Sequence, residues 1–140
     1  MNHSYATFLL EDQLFGVRVD HVQEVLENVR LTQVPLAPPS VSGLLNLRGQ
    51  IVVALDMRVQ FGRPPRPPGA PCVHVVVRLD GEAVSLLFDR VADVVDVADG
   101  DQEPVPPTLP EAVKVLAPTV VTQPHAVLLL LDLDRAATVN

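Results

Sequence analysis

The segment Gly43-Leu44-Leu45-Asn46-Leu47-Arg48-Gly49, running directly into Gln50-Ile51-Val52-Val53-Ala54-Leu55-Asp56, decides how this chain is read. Two glycines bracket a short apolar run, and an Asn-x-Arg-Gly end leads into a strand. Such an ending predicts a tight turn that holds a guanidinium at a defined place. An arginine so held presents a rigid fork of donors suited to a carboxylate or to backbone carbonyls. That is hardware for recognition more than for reaction. Behind the turn, Ile51, Val53 and Leu55 share one face, and Val52 and Ala54 the other. Both faces are apolar, which predicts a central strand.

Upstream, residues 5–10 and 14–19 read as a hairpin across Glu11-Asp12-Gln13, with Phe15, Val17 and Val19 on one face. Asp20-His21-Val22-Gln23 fits a capping box, and Val22, Val25, Leu26 and Val29 have helical spacing. A short helix running into a strand is expected there, although the valines also permit a strand from Glu24. Residues 31–35 read as extended, and Pro35, Pro38 and Pro39 make a stiff connection.

Downstream, Asp56 is placed to cap one helical turn that stops at Gly62. Residues 63–71 form a proline-rich connector, read as a loop between half-barrels rather than a polyproline ligand. Residues 73–79 and 83–88 form a hairpin about Asp80-Gly81. In residues 91–97, Asp93 and Asp96 are expected outside, with Val91, Val94, Val95 and Val97 inside. An acidic, proline-broken loop follows at 99–110. Residues 113–116 and 119–122 read as weak strands, 126–133 as the last strand and 134–138 as a closing turn. Many short strands with tight turns suggest small barrels or a sandwich.

The composition agrees. The 140 residues are 48% hydrophobic but hold only 4 Phe, 1 Tyr and no Trp, so the core is aliphatic. Valine favours strands, because β-branched side chains pack well on a pleated surface. The net charge is −7. Residues 1–70 carry six basic and six acidic side chains; residues 71–140 carry four and eleven. An acidic half repels phosphates, which argues against nucleic acid and against an anionic bilayer. The single cysteine, Cys72, fits a reducing cytosol and reads as a small hydrophobe on a strand. No signal peptide is apparent, and the longest apolar run, 126–131, is too short for a membrane span.

Chemistry for catalysis is not evident. The histidines at 3, 21, 74 and 125 have no ligand spacing, and no second cysteine exists, so no zinc site is expected. Neither a nucleophile elbow nor a phosphate-cradling glycine loop is seen. His21 reads as an exposed first-turn residue and His74 as a sheet-surface residue. The acidic stretch 93–103 lacks the spacing of a calcium loop and reads as a solvated face. No catalytic residue, metal or cofactor is expected.

Segment 43–58 resembles the CheW family, adaptors that couple chemoreceptors to the histidine kinase CheA. Phe8-Leu9-Leu10 followed by Phe15-Gly16-Val17 resembles the family's opening hairpin, and Val22-Gln23-Glu24-Val25-Leu26 its V-x-E-V/I-L segment. Val34-Pro35 with Pro38 is similar to its proline stretch. Residues 43–49 match the G-x-x-N-L-R-G signature in full, and Leu55-Asp56-Met57-Arg58 matches the D-L-R ending of the next strand. Residues 83–97 resemble the second-barrel hairpin, with Asp89-Arg90-Val91 in the place of vD-x-V. The chain departs from the pattern at Val53-Ala54, where a proline is usual, and at Leu116-Ala117-Pro118-Thr119, where a glycine-containing segment is usual.

The resemblance implies an all-β fold: two five-stranded Src homology 3-like barrels packed on a shared seam, with one or two short helices. It implies one domain over 1–140, with the first barrel near 14–70 and the second near 71–140 plus the N-terminal strand. It implies a cytoplasmic, non-catalytic adaptor. Its partners would be the cytoplasmic tip of a chemoreceptor, bound between the barrels, and the regulatory domain of a CheA-type kinase, docked on another edge. The family's receptor-site arginine falls on Arg48 and its acidic partner on Glu24. Val19 and Val22 match apolar positions near the groove, and Gly43 and Gly49 match glycines where a larger side chain should disturb docking. Two readings stand beside this one for Arg48 and Asn46: local pairing of Arg48 with Glu24, and an Asn46 side chain bonded to its own turn. The competing function is a small ligand- or nucleic-acid-binding barrel. The scarcity of aromatic rings argues against it.

Overall fold

The computed structural model describes residues 1–139. Its strands are β1 (Asn2–Leu10), β2 (Gln13–Arg18), β3 (Val22–Glu27), β4 (Val41–Leu47), β5 (Gln50–Asp56), β6 (Val73–Leu79), β7 (Glu82–Phe88), β8 (Arg90–Ala98), β9 (Glu103–Pro104), β10 (Thr119–Thr122) and β11 (Val127–Leu130). Three short helices accompany them: α1 (Met57–Gln60), α2 (Glu111–Leu116) and α3 (Leu133–Ala136).

The strands form two sheets, ordered β3-β6-β7-β5-β4 and β8-β1-β2-β11-β10-β9. Each curls like a barrel. Thr32, just past β3, exchanges two 2.8 Å backbone bonds with Leu44 of β4, which joins the two edges of the first sheet. In the second sheet the edge strands β8 and β9 are linked by one 3-10 turn, Asp99–Asp101. The second sheet has six strands rather than five, the extra one being the two-residue β9.

Residues do not divide between the sheets where the halves of the sequence suggest. Strands β6 and β7 (73–88) complete the first sheet, and β2 belongs to the second. Parallel pairing explains this: β5 lies beside β7, and β11 beside β2.

Strand alternation builds three cores. Phe8, Phe15 and Val17 of the second sheet meet Leu55, Val75, Val77, Leu86 and Phe88 of the first in a shared seam. The opposite faces fill each barrel: Leu45, Val52, Ala54, Val76 and Leu87 in one, Tyr5, Val97, Val121, Leu128 and Leu130 in the other. β5 is central, between β7 and β4, with Val52 and Leu55 fully buried on opposite faces.

Several local expectations change. No helix follows Asp20. A single 3-10 turn, Val19–His21, leads straight into β3, because the Asp20 carboxylate is taken by Arg18 (2.6 Å) and caps nothing. Val19 therefore leaves the hairpin strand, which ends at Arg18. Residues 113–116 are helical, not extended. Val113 and Leu116, three apart, share the buried face of α2, and Glu111 pairs with Lys114 at 3.0 Å. The last strand stops at Leu130, and Asp132 caps α3 through Arg135 N–H. His74 is buried, because both faces of β6 are covered; its Nδ1 lies 3.0 Å from Ser85 Oγ. Val91 and Val94 are exposed, because they face the seam from an edge strand that overhangs it.

Candidate functional site

The turn between β4 and β5 has two central residues, Arg48 and Gly49, flanked by the Leu47–Gln50 pair. Both central residues have positive φ, +52° and +86°. That is the I′ hairpin geometry, whose twist matches the flanking strands. Arginine is unusual in left-handed backbone, so the turn stores strain at a residue chosen for its side chain. Asn46 Oδ1 accepts the Gly49 N–H at 2.8 Å and locks the turn from within.

The Arg48 guanidinium grips the Glu24 carboxylate with two bonds, one from Nη1 to Oε2 and one from Nη2 to Oε1 at 3.1 Å. Its side chain is nevertheless 72% exposed, against 19% for Glu24. The bonded guanidinium holds the Glu24 carboxyl below the usual carboxylate range. The local pair therefore forms, and the arginine still presents donors to solvent.

The two signature glycines have different reasons. A Cβ at Gly43 would meet Thr32 O at 2.8 Å and Leu31 Cβ at 3.1 Å, and the residue has φ +154°. Gly43 thus admits the backbone that joins the sheet edges. A Cβ at Gly49 would meet nothing within 4 Å, and only its φ of +86° calls for glycine.

Edge strands β3 and β8 flank one side of the seam. Val22 and Val25 pair with the buried seam residues Val77 and Val75, so they point toward the seam. Val91 and Val94 pair with Phe8 and Ala6 and do the same from the other sheet. Because both strands are edges, these valines are incompletely covered: Val25 is 39%, Val91 50% and Val94 64% exposed. A cavity of about 340 Å³ at one end of this groove is lined by Glu27 and Asn28 on one side and Asp89, Arg90 and Val91 on the other. Glu24 pairs with Val76 of the first barrel's interior, so its side chain leaves β3 on the face opposite Val22 and Val25, and the Arg48–Glu24 pair belongs to the barrel side of that strand rather than to the groove. Val19, on the 3-10 turn before β3, is 38% exposed. Val25, Val91 and Val94 were not singled out as site residues from the sequence. The available signal was the acid-apolar alternation of β8, which does not tell an overhanging edge from a covered strand.

A second cluster was also missed. Asp89, in the crossover from β7 to β8, accepts from Arg58 Nε (3.1 Å) and Nη2 (2.8 Å), from Arg66 Nη2 (2.5 Å) and from Glu11 N–H (2.7 Å). Arg66 also bonds Asp56, which caps α1 through Arg58 N–H. Burial works to raise the Asp89 carboxyl, but its bonds to Arg58, Arg66 and Glu11 override that and hold it at about 2. The Arg66 side chain is 7% exposed, so the proline-rich connector is pinned from within and does not offer it to a partner.

Little here suits reaction chemistry. Burial pushes the His74 imidazole below its ordinary value and the Cys72 thiol above it. Among the described residues, no cluster of three His, Cys, Asp or Glu could hold a metal, and no helix is long and apolar enough to cross a membrane.

Comparison with known proteins places this geometry in a context. The profile described as "CheW-like domain" matches residues 4–139. The chain is 30% identical over 127 residues to the chemotaxis protein CheW of Rhizobium meliloti, covering 91% of this chain and 82% of that one. It is 26% identical over 102 residues to the CheW of Helicobacter pylori, covering 73% and 62%. The crystal structure of the scaffolding protein TtCheW from Thermoanaerobacter tengcongensis superposes with a TM-score of 0.88 at 25% identity, over 100% of this chain and 95% of that one. A profile match over nearly every residue, together with a fold shared end to end, shows that this chain belongs to the CheW family.

Proposed function

We propose that this chain is a non-catalytic adaptor in the cytoplasm, coupling the cytoplasmic tip of a chemoreceptor to the regulatory domain of a CheA-type histidine kinase in chemotaxis or a related pathway. The observation that carries the reading is the groove between β3 and β8, where Val25, Val91 and Val94 stay exposed on faces directed at the seam. Exposed apolar side chains on two facing edge strands suit the apolar stripe of a helical hairpin. Burying each valine contributes roughly 1 kcal/mol, so the groove supplies affinity. Arg48, held by Glu24 and still exposed, supplies orientation more than affinity. The kinase barrel docks on another edge, leaving the groove to the receptor.

Titration calorimetry with a receptor cytoplasmic fragment tests this. Saturable one-to-one binding that Val94→Asp abolishes, with the melting temperature unchanged, supports the reading. Equal binding by parent and variant sinks it.

A further inference from the structure

The groove between β3 and β8 is not apolar from end to end. Residues paired across strands share one face of the sheet, so the register says which side chains enter the groove. On β3, Glu27 pairs with the buried seam residue Val73, as Val25 pairs with Val75. On β8, Asp96 pairs with Ser4, two residues before Ala6, which packs against the seam opposite Val94. Val94 and Asp96 therefore leave β8 on the same side. One carboxylate stands at each end of the valine stripe: Glu27 beside Val91, and Asp96 beyond Val94.

The two ends differ in charge. Arg90 lines the same cavity as Glu27, and Asp89 there is already bonded to Arg58 and Arg66, so both signs are present. At the other end, Asp96 Oδ1 accepts a hydrogen bond from Ser4 Oγ at 2.6 Å, and that donor is neutral. Among the described residues, no cation lies within ion-pairing distance of the Asp96 carboxylate. Asp99, the next acid along, takes the Met1 amine at 3.8 Å and His3 at 3.5 Å to itself. Asp96 is thus oriented by a hydroxyl and keeps its full charge, exposed at the end of an apolar stripe. A partner helix with an acid at that place is repelled, and one with a base is held. From Val91 to Asp96 the strand advances roughly 15 Å, the rise of about three helical turns. A helix whose apolar stripe covers the valines therefore brings a residue about one turn beyond that stripe to Asp96.

We propose that Asp96 is a specificity-determining residue of the groove, taking a lysine or arginine of the receptor-tip helix and so fixing which way the helix runs. Ser4 is its positioning residue. This rests on the reading of the groove as the receptor site.

Calorimetry with a receptor cytoplasmic fragment, at low and at physiological salt, tests this. Asp96→Asn should bind about two- to fivefold more weakly at low salt and lose much of the parent's salt dependence. Ser4→Ala should cost less and keep that dependence, because the charge stays. Glu111→Gln, which removes the same charge from α2 outside the groove, should behave as the parent does. Asp96→Arg should bind more weakly still. When the basic residues of the fragment's tip helices are replaced by glutamate one at a time, one such fragment should bind Asp96→Arg more tightly than it binds the parent. Asp96→Asn, nearly isosteric and exposed, carries the test if the arginine variant does not fold. An Asp96→Asn variant with parental affinity and salt dependence, while Val94→Asp still abolishes binding, overturns this proposal and leaves the groove reading standing. So does a Glu111→Gln variant that loses as much as Asp96→Asn, or a folded Asp96→Arg that no reversed fragment favours. A parent with no saturable binding overturns both.

Discussion

Arg48 and Glu24 belong to opposite edges of one sheet, yet their side chains meet in a two-pronged ion pair. In the order β3-β6-β7-β5-β4 these edges are as far apart as the sheet allows. Only curling brings them together. The pair therefore reports barrel closure.

Arg48→Glu should weaken receptor-tip binding by a factor of about three to ten and leave the melting temperature within a few degrees of the parent. The substitution sets two carboxylates against each other at an exposed turn, where solvent screens the repulsion. Calorimetry together with thermal melting checks both halves; unchanged affinity counts against a recognition role.

Gly43→Ala and Gly49→Ala should separate sharply. The first places a methyl 2.8 Å from the Thr32 carbonyl oxygen, so the bridge joining the sheet edges must open, at a cost of roughly 2–4 kcal/mol. The second meets open space and costs about 1 kcal/mol of backbone strain. Urea unfolding of both variants measures the gap, and equal losses would contradict this account of the bridge.

Asp89→Ala should destabilise by about 3–5 kcal/mol, because it leaves Arg58 and Arg66 facing each other with no carboxylate between them. Acid should act through the same group. The folded carboxyl titrates at about 2, against an ordinary 3.8, so its contribution is complete above pH 4 and fades as pH falls toward 2. With allowance for solvent screening, that contribution is about 1–2 kcal/mol. Unfolding free energies between pH 5 and 2 should show the loss in the parent and not in Asp89→Ala.

His74 should lower stability on mild acidification. Burial depresses its folded pKa below the unfolded value, so the unfolded chain binds the proton first. Stability should be highest above pH 6.5 and fall below it. Urea titrations at pH 7.5 and 5.5 should show a drop in the parent that His74→Gln reduces. A flat parent profile would mean that the buried ring accepts a proton without penalty.

Much of this protein was legible along the chain. The Asp-Gly and Arg-Gly turns, the Asp56 cap and the valine-rich strands each depend on neighbours within a few residues, and local sterics settle them. The helix expected after Asp20 failed because Arg18 competes for the capping carboxylate and β6 offers β3 a partner. His74, Val91 and Val94 were misplaced for another reason: alternation along a strand gives two faces but does not say which is covered.

Local propensity and the G-x-x-N-L-R-G signature therefore determined most of the strands, the tight turns and the place of Arg48. The tertiary structure alone decided three things: which edges close on each other, which valines overhang the seam, and that Arg66 is drawn inward from its proline-rich connector to Asp56 and Asp89. Each depends on residues far apart in the chain. Contacts of that kind are set by how two curled sheets share one apolar interior, and short-range periodicity carries no record of it.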